Sequence, residues 1–562
     1  MAGNGAGRLT SHHPTAFWLG TTAVTAGVIL HLPMYLGARD MGYKLTGMAV
    51  DAPMKVGMAL ILGGLAATLY GLLPSLSPPP STAAHIRVRA LDDAKLSPAH
   101  VGLLLVLAVA VTIDVMKPVT LSFVVPGMAR EYGLKSPLNP RGTVPVAYLP
   151  LFGIVGTVLG SFVWGWLGDR VGRRASILLA GVLFVGTAIC GSMPNYRWNF
   201  FMCLVMGLGV GGMLPITFAL LAETIPARHR GWLMVLVGGD VAGAYIITSW
   251  LSAELTPTYG WRILWLLGLP TGLLLIVLNR WIPESPRFLI QNGREEEARA
   301  VMGRYGVGVV EEGRSELDVE EGVRGGWKQL VAGPFRGLAG VVTLFGLGVG
   351  LVTFGFQLWI PSNLQRLGFD EVTSSTILRD SALLGFPATF LIAALYGFWS
   401  SRRTMIVLGL VTAASLLGFV LLGDRVADNR ARLDLLLILP ITGISSILAV
   451  LVAYASETFP TRIRSRGTGL AAGASKLGGV AVIALVVAGA TPPSIATTAL
   501  VGALPLALGA VAMALFGVET RRRRLEDITA EELRMDPIPG GTSMRAWGRR
   551  LRGNGTTGTP LP

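Results

Sequence analysis

Four charged residues, Asp114, Lys117, Asp240 and Lys476, lie inside long apolar runs of the chain. An ionisable group at mid-membrane costs about 2.5–3.5 kcal/mol on insertion scales, so each calls for a partner or a function. Asp114 and Lys117 are spaced i, i+3, which puts them on one helix face where they can pair. Pro118 follows and has no N–H, so the carbonyl of Asp114 loses its usual helical partner. An acid, a free carbonyl and an ammonium thus cluster near mid-membrane, as a site that binds a polar ligand or takes up a proton requires. The competing reading is an ion pair that stabilises a kink. Asp240 and Lys476 complete a set of two acids and two bases that can neutralise one another. Two lysines at that depth favour an anionic, carboxylate-bearing ligand. Gln357 and Trp359, in a later apolar run, suit hydrogen bonding and stacking, or equally packing and interfacial anchoring.

Such residues need helices that carry them across a bilayer. The chain has 562 residues, 52% hydrophobic and 14% charged, with a mean hydropathy of +0.59. Apolar runs near the roughly 20 residues that span a bilayer recur throughout. Two come first, at roughly 16–36 and 54–76, in an N-terminal extension covering 1–76. A Pro-rich linker (77–98) follows, then six runs at about 99–126, 144–167, 175–193, 198–222, 232–254 and 260–282. A polar stretch (283–336), with Arg294-Glu295-Glu296-Glu297 and Glu311-Glu312 suggesting short amphipathic helices, precedes six more. These lie at about 337–361, 377–399, 404–422, 432–456, 467–490 and 494–517, before a basic tail (518–562). The expected fold class is an all-α polytopic membrane protein: two six-helix bundles, 99–282 and 337–517, plus two extra N-terminal transmembrane helices.

The net charge of +14 sits in short loops between apolar runs, which is a topology signal and not a footprint for nucleic acid. With the linker, central stretch and tail on one side, that side collects about 31 Lys and Arg against about 12 opposite, placing both termini in the cytoplasm. Cys190 and Cys203 make no metal or redox spacing, and no disulfide is expected between them. No cleavable secretory signal is evident before the first run.

One stretch occurs twice. Ala222-Glu223-Thr224-Ile225-Pro226-Ala227-Arg228-His229-Arg230 returns 234 positions later as Ser456-Glu457-Thr458-Phe459-Pro460-Thr461-Arg462-Ile463-Arg464. The offset also carries Pro283-Glu284-Ser285 close to Val518-Glu519-Thr520, and the loop 168–174 close to Ser401-Arg402-Arg403. Two parallel six-helix halves around a midplane cavity is the plan of an alternating-access transporter. Each copy anchors a helix end at the cytoplasmic face; the sharper reading makes the pair gate latches.

The loop Gly165-Trp166-Leu167-Gly168-Asp169-Arg170-Val171-Gly172-Arg173-Arg174 matches G-x-x-x-D-R-x-G-R-R at every defined position and resembles the signature of the major facilitator superfamily. Pro283-Glu284-Ser285-Pro286-Arg287 resembles the close of the sixth span in sugar-porter-like members. Gly207 through Pro215, Trp261-Arg262 and Gly473 through Gly479 resemble the metabolite:proton symporters that include niacin and aromatic-acid transporters. The run of glycines at Gly207, Gly209, Gly211 and Gly212 is no dinucleotide fingerprint: it lies within an apolar helix, with no strand before it. The resemblance covers about 99 to 526.

What the resemblance implies is a secondary transporter of a small organic solute in the cell membrane, working as a monomer by proton symport, with no cofactor, no metal and no enzymatic activity. It also implies that Glu223, Arg228, Glu457 and Arg462 join Asp169, Arg170, Arg174 and Glu284 in one cytoplasmic latch between the halves. Lys476 stands where the resembled group usually carries Arg and so fits its pattern of a basic residue, while three positions depart from it: Lys117 stands where many members have an acid, Met213 for a common Glu and Cys203 for a common Arg. The second-half loop at Ser401 to Arg403 keeps the basic residues and lacks the acid. Drug efflux is the nearest alternative, against which Gly238 to Gly243 shows no proline-glycine antiporter signature. A sensor would need a soluble output domain, and a polytopic enzyme a His/Asp/Glu cluster at one depth; neither is visible.

Overall fold

A chain in hydrocarbon must satisfy its own backbone polar groups, and the apolar runs do so as helices. The structure, a computed structural model, describes residues 13–72, 95–136, 139–291, 294–306, 330, 335–459, 461–489 and 494–520. Among them are 13 helices long and apolar enough to cross a membrane, and a shorter apolar one, Tyr148–Trp164, matching the fourteen runs read from the sequence. Phe162 and Leu421 are 74% and 86% exposed, as side chains are whose solvent is lipid.

The extra N-terminal pair is a hairpin of α1 (Pro14–Ile29) and α2 (Ala52–Leu72). Gly20 and Gly27 meet Gly64 and Gly57 so closely that no Cβ fits between the backbones. In the first half, α3 (Pro98–Tyr132) packs on α6 (Tyr196–Thr224) and α8 (Val241–Tyr259). α4 (Tyr148–Val171) lies along α6, and α5 (Arg173–Thr187) packs on α6 and α9 (Gly268–Leu278). The hairpin docks on α5. α7 (Ala227–Gly239) runs into α8. In the central stretch α10 (Glu295–Arg304) is amphipathic with three acids in its first turn; Glu311-Glu312 lies outside the described residues.

The second half repeats the plan with α11 (Arg336–Leu351), α12 (Glu371–Ala394), α13 (Ser401–Leu422), α14 (Ile444–Thr458), α15 (Thr461–Gly489) and α16 (Ile495–Phe516). α11 packs on α15 and α16, and α13 on α16. The halves meet where α8 packs on α12, α7 on α14 and α4 on α15.

Several runs that read as continuous are interrupted. The run at 232–254 breaks at Asp240, between α7 and α8, after Gly238 and Gly239, two of the weakest helix formers. After α11 comes a π-helical turn (Val352–Phe356), a 3-10 turn (Gln357–Trp359) and a short helix, Ile360–Arg366. Before α14 lies another π-helical turn, Leu439–Gly443, at Pro440, which lacks the N–H a regular ladder needs.

Candidate functional site

α3 runs through the middle of the charged residues. Asp114 is fully buried, and neither carboxylate oxygen receives a hydrogen bond. Two cations, Lys476 from α15 and Lys117 from its own helix, act on it electrostatically. The i, i+3 pairing expected of Asp114 and Lys117 is not made: no ion pair joins them. Lys117 instead turns to the Phe184 ring, 5.4 Å from its centroid, and lines a crevice with Thr120, Thr248, Gly268 and Thr271 between α3, α8 and α9. Spacing put the two groups on one side of the helix, but neighbouring helices decide where a long side chain points. Asp240 at the α7–α8 break is also not ion-paired; it accepts a hydrogen bond from Thr112 Oγ1 of α3. The four charges therefore do not form one neutralising cluster.

Lys476 crosses between the halves. Its ammonium donates to Ser161 Oγ on α4, to Gly211 O on α6 at 3.2 Å and to Thr157 O at 3.4 Å. The seam it enters is narrow: Gly207 and Gly211 leave no room for a Cβ against the α4 backbone at Gly153 and Thr157. Ser161 carried no sequence signal, being one small polar residue among many.

Gln357 is fastened by its amide to Pro440 O (2.5 Å) and Ile441 O (3.2 Å) of the second π-helical turn. Trp359 is 1% exposed, and its indole N–H has no partner. Asn363, one turn on, is 2% exposed with both amide atoms unpartnered, and Tyr245 of α8 has a buried, unpartnered hydroxyl beside Phe123 of α3. Both were missed: Asn363 lies beyond the end of the apolar run, on the extra helical turn, and Tyr245 is one aromatic among many.

At the ends of the halves the repeat becomes chemistry. Glu284 accepts the backbone N–H groups of Arg173 at 2.7 Å and Arg174 at 3.3 Å, and so caps the N-terminus of α5, where the helix dipole favours an anion. Its companion Glu519 accepts Ser401 N at 3.0 Å and caps α13 in the same way. Burial pushes the Glu284 carboxyl above its usual range, against the backbone N–H groups that pull it down. Arg173 stacks over Phe288, Arg174 bonds Asn279 at 3.3 Å, and Gly172, at φ 100°, sits where a Cβ would strike Glu284. The bonds described for Arg174 and Glu284 thus lie within the first half and not between halves. Glu457 accepts from Tyr396 at 2.6 Å and Thr520 at 2.7 Å in the second half, and faces Gly231 of α7 across the interface. The surroundings of Gly165 and the side chains of Asp169, Arg170, Glu223, Arg228, Arg287 and Arg462 lie outside what the structure describes.

The opposite end holds a bridge that the sequence did not announce. Arg130 of α3 pairs with Glu371 of α12 at 3.0 Å and donates to Gln365 at 2.7 Å. Ser252 and Ser375 meet at 3.2 Å nearby. Beside them Glu131 and Arg262 form a buried ion pair at 2.7 Å.

Residues 103–482 match the Major Facilitator Superfamily. The chain is 25% identical over 405 residues to the niacin transporter NiaP of Acinetobacter baylyi, covering 70% of this chain and 88% of that protein. It is 27% identical over 410 residues to the 4-hydroxybenzoate transporter PcaK of the same organism, covering 69% and 85%. Its fold matches that of the proton:xylose symporter XylE from E. coli with a TM-score of 0.61 and 18% identity, over 77% of this chain and 98% of that one.

Proposed function

The chain belongs to the Major Facilitator Superfamily and is a multi-pass membrane transporter of small organic solutes, and we propose that its cargo is a carboxylate-bearing organic anion moved in symport with protons. The observation that carries this reading is Asp114: a buried acid on the central helix with no hydrogen-bond partner, within the electrostatic reach of Lys476 and Lys117. Such an acid exchanges a proton with little rearrangement, and a cation beside it moves the balance between its two forms. Niacin and 4-hydroxybenzoate, the solutes named for two relatives, are both aromatic monocarboxylates. Lysines at mid-membrane suit the carboxylate, and Trp359, Asn363 and Tyr245 offer a ring face and unpartnered donors for the remainder. The transporter sits in the cell membrane as a monomer with both termini cytoplasmic, protons being its second substrate. Glu223 and Arg228 of the first half, with Glu457 and Arg462 of the second, close its cytoplasmic end, supported by the Asp169, Arg170 and Arg287 turns; Arg130 with Glu371 closes the other.

Uptake into proteoliposomes under an imposed proton gradient tests this, with nicotinate, 4-hydroxybenzoate, benzoate and xylose as probes. A carboxylate among them should accumulate, and Asp114→Asn should abolish accumulation while leaving exchange partly intact. Full proton-driven accumulation by Asp114→Asn, or uptake of xylose alone, would overturn the reading.

A further inference from the structure

The contact between Lys476 and the α4–α6 seam has a geometry that an idle lysine would not need. Three acceptors converge on one ammonium: a hydroxyl and two carbonyls, all from the other half of the molecule. Ser161 Oγ also lies 2.8 Å from Thr157 O and 2.9 Å from Gly211 O, so the same hydroxyl is tied to both carbonyls. The acceptors are neutral, whereas the nearby acid, Asp114, makes no hydrogen bond to the lysine. A lysine free to choose between an ionised carboxylate and neutral oxygens in a low-dielectric site takes the carboxylate, since attraction between two full charges then adds to the hydrogen bond. The arrangement is the one expected of an uncharged Asp114.

We propose that Ser161 Oγ, Thr157 O and Gly211 O form a seat that holds the Lys476 ammonium across the halves while Asp114 is protonated, and that ionised Asp114 draws the ammonium off it. This rests on the reading of Asp114 as the proton acceptor and adds residues that the sequence did not single out. Loss of the proton from Asp114 creates an anion beside Lys476; the ammonium leaves three neutral oxygens for one carboxylate, and the α4–α15 contact opens. Reprotonation returns the lysine to its seat. No proton leaves Lys476 in either step. The other charged groups near this stretch are Lys117, on the same helix as Asp114 and turned towards Phe184 of α5, and Asp240, held by Thr112 of α3. The buried thiol of Cys190 lies near Lys117. Ser161 is on this account a positioning residue: it touches neither the proton nor the solute.

The test is a distance between halves as a function of pH. Leu159 and Leu477 are 49% and 62% exposed and flank Ser161 and Lys476, so both accept a spin label. With Cys190→Ser and Cys203→Ser as background, the full-length protein carrying labels at both positions is reconstituted in liposomes. A short population should dominate at low pH and give way to a longer one as pH rises. Asp114→Asn should hold the short distance at every pH. Ser161→Ala should cut the short population at low pH at least threefold, and Ser161→Thr, which restores a hydroxyl, should recover it. A distance independent of pH in the parent, or a short population unchanged in Ser161→Ala, overturns the seat. If the seat fails while Asp114→Asn still loses accumulation, the proton-symport reading stands; if Asp114→Asn accumulates normally, that reading falls, and a pH-dependent distance that survives the same substitution removes the seat with it. Melting temperature in detergent confirms that each variant is folded before labelling.

Discussion

The Glu131–Arg262 pair allows a magnitude to be worked from contacts. Their side chains are 4% and 0% exposed, and Glu131 accepts from Arg262 Nη2 at 2.7 Å and Nε at 3.3 Å. It also accepts from Trp261 Nε1 at 2.9 Å, from Leu45 N at 2.8 Å and from Thr46 Oγ1 at 2.9 Å. Arg262 in turn donates to Met193 O at 2.8 Å and Tyr132 Oη at 2.6 Å. Replacing Arg262 with Met strands a buried carboxylate, which costs about 3–5 kcal/mol. Replacing both, as Glu131→Gln with Arg262→Met, removes the stranded charge and leaves the lost hydrogen bonds, about 1–3 kcal/mol. The double variant should therefore be the more stable of the two. Thermal unfolding in detergent reads this: Arg262→Met should melt roughly 5 °C below the parent, scaled down from the about 2–4 °C per kcal/mol of shorter chains. Because Leu45 and Thr46 belong to the loop of the N-terminal hairpin, Glu131→Ala should also loosen that loop and speed trypsin cleavage at Arg39 and Lys44, whose side chains are already exposed. A parent-like melting temperature for Arg262→Met, or a double variant less stable than the single, would refute the reasoning.

The Glu284 cap makes stability depend on pH. Its folded-state pKa is raised by burial, so its contribution is fully present below the unfolded value and is lost as pH rises through the folded one. Compared with the parent, Glu284→Gln should look progressively less destabilised as pH climbs above 4.5, and a melting-temperature difference that stays flat would count against this. The Arg130–Glu371 bridge is 51% and 25% exposed on its two side chains, so it contributes about 0–1 kcal/mol, or at most about fivefold in an equilibrium between open and closed. Arg130→Ala should speed thiol labelling of Ser375→Cys, in a background lacking Cys190 and Cys203, by up to about that factor; an unchanged rate would remove the bridge from the gate.

How far the sequence reached depends on the range over which each feature is decided. Hydropathy is local, and so is the helical ladder that satisfies backbone groups in lipid. The passages from Pro14–Gly37 to Ile495–Phe516 were accordingly legible run by run. The duplicated Glu284 and Glu519 were legible as an echo, and each caps the third helix of its own half, because the same local geometry recurs in both. The breaks at Asp240 and Gln357 were not legible, since a π-helical turn or a helix break inside an apolar run leaves the hydropathy unchanged.

By itself, then, the sequence determined that the chain crosses a membrane many times, that it is built of two repeated halves, and that acids and lysines lie at mid-membrane. Only the tertiary structure decided what those charges meet. Lys117 and Asp114 are neighbours in sequence and do not pair, while Lys476 and Ser161 are 315 positions apart and do. A side chain buried in lipid or protein bonds to whatever acceptor the packed helices bring within about 3 Å. Which helix supplies it is fixed by small residues such as Gly207 and Gly211, which let backbones close together, and not by spacing along the chain.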